Sequence, residues 1–90
     1  MTQRPHFTPI EFRLLQCLAR HGGAAVSREH LLRHVWGYSP HAMTRTIDTT
    51  VRRLRKKIEP DPARPRFLLT TYGVGYRLVD GHRFSEPATR

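Results

Sequence analysis

The chain has 90 residues and a formal net charge of +9, from 16 Lys and Arg against 7 Asp and Glu. Such a length forms one domain with a small core. No apolar run reaches the roughly 18 residues of a membrane helix, and residues 1–9 lack the apolar region of a secretory signal. The isoelectric point near 11.3 indicates a polyanionic partner, nucleic acid before anionic membrane. The single cysteine, Cys17, excludes an internal disulfide and favours a reducing, cytoplasmic location.

Positive charge is concentrated in one segment. Residues 44–57 carry six Arg and Lys against Asp48, so this segment supplies a net +5 of the total +9. Nearly all the basic residues are arginine. The planar guanidinium makes paired hydrogen bonds to phosphates and to guanine edges, which favours nucleic acid over an ordinary solvated surface.

Two helices are predicted in the first half of the chain. The first spans residues 7–21, with Thr8 as N-cap, Pro9 at the first helical position and Glu11 completing a capping box. The second opens at Val26-Ser27 with Ser27 as its cap. It ends at Gly37.

The third predicted helix runs from about Thr44 to Ile58 and is amphipathic. Its apolar positions, Ile47, Val51, Leu54 and Ile58, share one face at about 100° per residue. Asp48 lies four residues before Arg52, where it is expected to hold that side chain. The opposite face carries Arg45, Thr49, Arg52, Arg53 and Lys56.

The last predicted element is a β-hairpin. Residues 66–72 and 75–79 alternate and are rich in strand-forming residues, with Gly73-Val74-Gly75 between them. Residues 1–5 and 81–90 are expected to be tails, the second mobile, around a domain at 6–80. Three helices followed by a hairpin predict an α+β fold, a winged helix-turn-helix. Its third helix suits a major groove about 12 Å wide.

Six motifs resemble one family in their order and spacing. They are Phe7-Thr8-Pro9-Ile10-Glu11-Phe12-Arg13-Leu14-Leu15, Val26-Ser27-Arg28-Glu29-His30-Leu31-Leu32, Val35-Trp36-Gly37, Arg45-Thr46-Ile47-Asp48, Val51-Arg52-Arg53-Leu54-Arg55-Lys56-Lys57 and Gly73-Val74-Gly75-Tyr76-Arg77-Leu78. Over residues 6–80 the chain resembles the OmpR/PhoB-type winged-helix effector domain of bacterial response regulators. The resemblance implies sequence-specific binding of double-stranded promoter DNA as the transcription-regulating output of a phosphorelay, without catalysis or cofactor.

The resemblance also implies roles for individual positions. Base contacts are expected from Thr49, Thr50 and Arg53. Contacts to the DNA backbone are expected from Arg28, Trp36, Arg45, Thr46, Arg52, Arg55, Lys56 and Tyr76, with Trp36 fitting a core position equally well. The wing residues are Thr70, Thr71 and Tyr72. The loop that touches RNA polymerase matches Gly37, Tyr38, Ser39, Pro40, His41, Ala42 and Met43. Family members commonly bind DNA as head-to-tail pairs.

Two departures from the family pattern are visible. The family domain begins with a four-stranded sheet that usually follows a receiver domain, whereas seven residues precede Thr8 here. The chain is therefore expected to be either an excised fragment or an unusual short protein. In addition, the family often has Arg at the wing tip where this chain has Tyr72. Poor reading of the minor groove is expected, because a guanidinium is what a narrow groove attracts.

Other functions have weaker support. His30 and His34 have a zinc-compatible i, i+4 spacing, but no Cys, Asp or Glu near them in sequence completes a set of four ligands, so no metal is expected. Cys17 is interpreted as a small core residue. The scattered acids provide no catalytic pair, and no small-molecule ligand or membrane association is expected. The alternative from another class is a protein-interaction module whose basic face docks an acidic partner.

Overall fold

The computed structural model describes residues 6–37 and 44–85, except the side chains of His82 and Ser85. The predicted tails at 1–5 and 86–90, and residues 38–43 of the predicted polymerase loop, lie outside the described residues. The described elements, in chain order, are α1 (Pro9–Arg20), β1 (Val26–Ser27), α2 (Arg28–Leu31, continued by a π-helical stretch at Leu32–Trp36), α3 (Thr44–Ile58), β2 (Leu68–Thr71), β3 (Gly75–Leu78) and α4 (His82–Ser85). Three helices and a hairpin confirm the predicted winged helix.

The predicted capping box starts α1. The Thr8 hydroxyl accepts from the Glu11 amide at 3.2 Å, and the Glu11 carboxylate accepts from the Thr8 amide at 2.9 Å. The same carboxylate, almost fully buried, accepts from Lys57 Nζ of α3 at 2.6 Å. The capping carboxylate thus also connects α1 to α3, because it accepts hydrogen bonds from both the Thr8 amide and Lys57.

The ion pair between Glu11 and Lys57 predicts that the stability of the fold falls at acidic pH. Burial opposes ionisation of Glu11, but the Lys57 ammonium and the Thr8 hydrogen bonds outweigh it and lower the pKa of the carboxyl. A carboxyl with a lowered folded-state pKa stabilises the fold above its unfolded pKa, and this stabilisation is lost as the pH falls through the folded value. Glu11→Gln should therefore destabilise the chain at neutral pH, and the difference from wild type should shrink below about pH 4.

Urea denaturation of both proteins across this pH range measures the effect. Gln16→Glu, an exposed change on the same helix, is the control and should leave the acid profile nearly unchanged. A constant difference between wild type and Glu11→Gln at every pH would contradict the assignment.

A short strand, β1, was not predicted. Val26 and Ser27 pair antiparallel with Tyr76 and Gly75 of β3, giving a three-stranded sheet in the order β1-β3-β2. The predicted cap is also present, since the Ser27 hydroxyl accepts from the His30 amide at 3.0 Å. Two residues are too few to show strand alternation, so the sequence revealed the cap and not the strand.

The hairpin is confirmed, with Leu68 opposite Leu78 and Thr71 opposite Gly75. Gly73 has a φ of 82° in a turn closed by a 3.0 Å hydrogen bond from the Val74 amide to the Thr71 carbonyl. This is the third turn position, where a left-handed residue, usually glycine, is required. We call residues 68–78 the wing.

The structure differs from the predicted tail at residues 81–85. His82–Ser85 forms the short helix α4, and the rings of Phe84 and Phe67 meet edge to face with their centroids 5.3 Å apart. Gly81 also lies against Ala19 of α1. A four-residue helix shows no periodicity in sequence, and its stability comes from this packing rather than from local propensity.

The core lies between the helices and one face of the sheet. Its fully buried side chains come from every major element: Leu14, Leu15, Leu18, Leu31, Ile47, Val51, Leu54, Leu68 and Leu78. One buried carboxylate, Glu59, directly follows α3. It accepts from the backbone amides of Arg66 at 2.6 Å, Phe67 at 3.0 Å and Leu68 at 2.8 Å. Glu59 therefore fixes the start of the wing to the end of α3.

Candidate nucleic-acid interface

The outer surface of α3 is a continuous basic face. Ile47, Val51 and Leu54 are buried to 1% exposure or less, which turns the opposite side of the helix to solvent. Fifteen residues make a helix about 22 Å long, and this length and width suit a DNA major groove. The residues of this basic face are all exposed, as predicted: Arg45, Thr49, Arg52, Arg53 and Lys56.

The two threonines at the centre of α3 differ sharply. Thr49 is exposed, and its hydroxyl donates to the Arg45 carbonyl at 3.0 Å, which leaves oxygen lone pairs available to a base. Thr50 is only 5% exposed, and its hydroxyl donates to the carbonyl of the half-buried Thr46 at 2.9 Å. The predicted base contact by Thr50 is therefore corrected. In helical projection Thr50 lies about 40° from the apolar stripe, and it packs with that stripe.

Asp48 organises a second cluster, in place of the predicted pairing with Arg52. Its carboxylate accepts from Arg28 Nε of α2 at 3.0 Å and from the Tyr76 hydroxyl of β3 at 2.6 Å. Desolvation opposes ionisation of Asp48, but the Tyr76 and Arg28 hydrogen bonds outweigh it and lower the pKa of Asp48. Asp48 thus connects α2, α3 and the wing.

This cluster changes the predicted roles of two phosphate-contacting residues. Tyr76 is 5% exposed, and its hydroxyl hydrogen is donated to Asp48, so it is not free to donate to a phosphate. The predicted backbone contact by Tyr76 is corrected to a positioning role. Arg28 is half-buried, donates its Nε to Asp48 and has its guanidinium 5.2 Å from the centre of the Tyr76 ring.

Arg55 is bound within the protein as well. Its Nε donates to the Leu68 carbonyl at 2.9 Å, and a terminal nitrogen donates to the Thr70 hydroxyl at 3.0 Å. Arg55 lies on the flank of α3 nearest the wing, so its guanidinium group binds β2. Arg55 therefore attaches the wing to α3, and its contact with the DNA backbone stays a prediction.

The remaining predicted residues divide between core and surface. Trp36 is half-buried and packs on the core, which supports the core interpretation of this side chain. Gly37 ends the second helix with a φ of 71°. At the wing, Thr70 and Thr71 are half-buried, whereas Tyr72 is 90% exposed and forms the tip with Val74.

One exposed arginine was not singled out from the sequence. Arg77 of β3 projects away from its buried neighbours Tyr76 and Leu78, and together with Arg55 and Tyr72 it lines an open groove beside the wing. Strand alternation alone could have identified Arg77, because side chains at successive positions point to opposite faces. The groove adds positive charge to the wing.

A three-helix core, a wing and a basic third helix together define a winged-helix domain. The chain matches the family "Transcriptional regulatory protein, C terminal" over residues 2–78. The chain belongs to this family, which comprises the DNA-binding domains of OmpR/PhoB-type response regulators. It is thus a DNA-binding transcription-regulator domain and not an enzyme.

Solved structures agree with this assignment. The response regulator DrrB of Thermotoga maritima, an OmpR/PhoB homologue, has a TM-score of 0.76 at 43% identity, over 84% of this chain and 34% of DrrB. The DNA-binding domain of Bacillus subtilis CssR has a TM-score of 0.68 at 38% identity, over 82% of this chain and 78% of that domain. The Klebsiella pneumoniae RstA domain, solved with the RstA box, has a TM-score of 0.72 at 30% identity, over 82% and 73%.

These matches also show how the length of the chain compares with the lengths of its relatives. It spans about a third of the length of DrrB and most of the isolated DNA-binding domains. None of the helices in the described ranges is long and apolar enough to cross a membrane.

Proposed function

We propose that this chain binds double-stranded promoter DNA sequence-specifically, as the output domain of a cytoplasmic phosphorelay response regulator. The basic face of α3 enters the major groove, and the wing lies on the backbone or in the adjacent minor groove. The observation that carries the proposal is the exposure of four cations, Arg45, Arg52, Arg53 and Lys56, on one face of a helix whose other face is core.

The contacts divide into two kinds. Arg53 and Thr49 are assigned to base edges from the resemblance to the family, and both are exposed on this face. Arg45, Arg52 and Lys56 contact phosphates, which fix orientation without reading sequence. Arg28 adds a phosphate contact from α2 through the nitrogens that Asp48 does not use.

A pair of substitutions separates the two kinds of contact. Arg53→Ala should cost about 1–3 kcal/mol on the preferred site and relax the preference at one base position, because an arginine reads guanine through two hydrogen bonds. Lys56→Ala should weaken all duplexes about equally, since a phosphate contact carries no sequence information. Binding constants on a selected site and on a scrambled duplex measure both effects.

The same experiment includes its control. Arg64→Ala removes an exposed arginine in the loop before β2, outside the proposed interface, and should leave both binding constants nearly unchanged. Equal losses on the two duplexes for Arg53→Ala would show that Arg53 does not read bases.

Further partners follow from family membership and belong to the same proposal. The loop at Gly37–Met43 is proposed to touch RNA polymerase, and two copies are proposed to bind DNA head to tail. In support, Gly37 turns the chain directly out of the second helix, so the loop leads from one DNA-facing element, α2, to the next, α3.

A further inference from the structure

Three potential metal ligands meet where α1 and α2 face each other. The Cys17 sulfur and ring nitrogens of His21 and His30 all lie within 4.8 Å of one another. The rings of His21 and His30 meet edge to face, with centroids 5.1 Å apart. His34 stacks on His30 at 4.1 Å. No metal is expected from the sequence, because no Cys, Asp or Glu near His30 and His34 completes a set of four ligands, but the fold brings Cys17 and His21 to His30.

The hydrogen bonding of His21 prepares it as a ligand. Its Nδ1 lies 2.8 Å from the Cys17 carbonyl, which can only accept, so Nδ1 carries the hydrogen. In the neutral ring the lone pair is then on Nε2. Metal-binding histidines generally donate their second ring nitrogen to a carbonyl or carboxylate in this way, which fixes their orientation.

The burial of the three side chains suits a metal with a preference for thiolate. Cys17 is 2% exposed, while His21 is exposed and His30 half-buried, so a soft donor lies inside and two imidazoles open to solvent. Arg20 and Arg33 lie near the cluster, and their positive charge opposes a dication; a thiolate ligand offsets part of this repulsion.

We propose that Cys17, His21 and His30 bind a zinc ion, with His34 or water as the fourth ligand. Zinc takes tetrahedral sulfur and nitrogen ligands at about 2.0–2.3 Å, which requires ligand atoms roughly 3.3–3.8 Å apart. The present spacing of up to 4.8 Å therefore has to contract by about 1 Å when the metal binds. On binding, the thiol proton passes to solvent and the thiolate bonds to the metal. The ion fastens the end of α1 to α2, the helix that supports Asp48 and α3.

Cobalt(II) titration of the full chain tests the site, because thiolate-bound tetrahedral cobalt gives a sulfur-to-metal charge-transfer band and intense visible bands. Wild type should show both and should bind one equivalent of zinc in competition with a chromophoric chelator. Cys17→Ser should abolish the charge-transfer band. Because Cys17 is buried, the exposed His21→Asn is the second variant, and it should weaken zinc about tenfold or more.

His6→Asn removes a histidine outside the cluster and is the matched control, with unchanged affinity expected. Zinc should also raise the melting temperature of wild type and of His6→Asn but not of His21→Asn, since only a ligand bound to the folded state stabilises it. Cobalt binding without a charge-transfer band, or equal zinc affinity of wild type and His21→Asn, would overturn the proposal.

Discussion

Glu59→Ala is expected to lower the free energy of unfolding by about 3 kcal/mol, since three backbone amides, one of them buried and two part-buried, lose their acceptor at about 1 kcal/mol each. The carboxylate is 7% exposed and accepts from Arg66, Phe67 and Leu68. Alanine leaves these amides without a side-chain acceptor. A domain of this size has about 5–13 kcal/mol of stability, so the loss is a large fraction.

Asp61→Ala is the matched control for Glu59→Ala. The Asp61 carboxylate accepts a single backbone bond, from the Ala63 amide at 3.1 Å, in an exposed turn, where water replaces it. Its removal should cost less than about 1 kcal/mol. Denaturant unfolding of the three proteins measures the comparison, and similar losses for the two variants would show that Glu59 does not fix the wing to α3.

Gly75→Ala is the second change with a large expected effect. A methyl group there would lie 2.0 Å from the Val26 carbonyl oxygen, so β1 and β3 could pair only after one backbone moved. Overpacking of this kind costs about 3 kcal/mol. Because Ser27 of β1 also caps α2, the shift would reach α2, whose Arg28 binds Asp48 of α3.

Gly73→Ala serves as the control in the same hairpin. It meets no atom within 4 Å but has a φ of 82°, so its cost is the backbone penalty of about 1–2 kcal/mol. Thermal or urea unfolding should rank Gly75→Ala as the more damaging change. The reverse ranking would mean that the close approach of β1 and β3 is not maintained in solution.

Features governed by near neighbours in the chain could be predicted from the sequence. The capping box of Thr8 and Glu11, the amphipathic α3 and the Gly73 turn each depend on residues within about four positions. For the same reason the exposed basic face was predicted correctly, whereas Thr50 was included among the base contacts by the resemblance and not by the helical pattern. The helical projection already placed Thr50 beside the apolar stripe, and a stricter angular limit would have assigned it to the core.

Contacts across the fold could not be predicted in this way. Asp48 is 20 residues from Arg28 and 28 from Tyr76, so the nearer Arg52 looked like its partner. Arg55 similarly binds Thr70 across 15 residues. Some of the cationic side chains expected to contact phosphate bind other groups of the protein. The local sequence pattern alone does not separate these two roles.

The dependence of DNA binding on salt tests the central claim most directly. Duplexes selected by the protein from a random pool provide the preferred site, and a scrambled duplex provides the reference. With about four to six phosphates neutralised, the logarithm of the binding constant should fall with the logarithm of salt concentration at a slope of roughly −4 to −5. The selected duplex should remain the tighter ligand throughout. A slope near zero, or equal affinity for the two duplexes at every salt concentration, would contradict sequence-specific DNA binding by this domain.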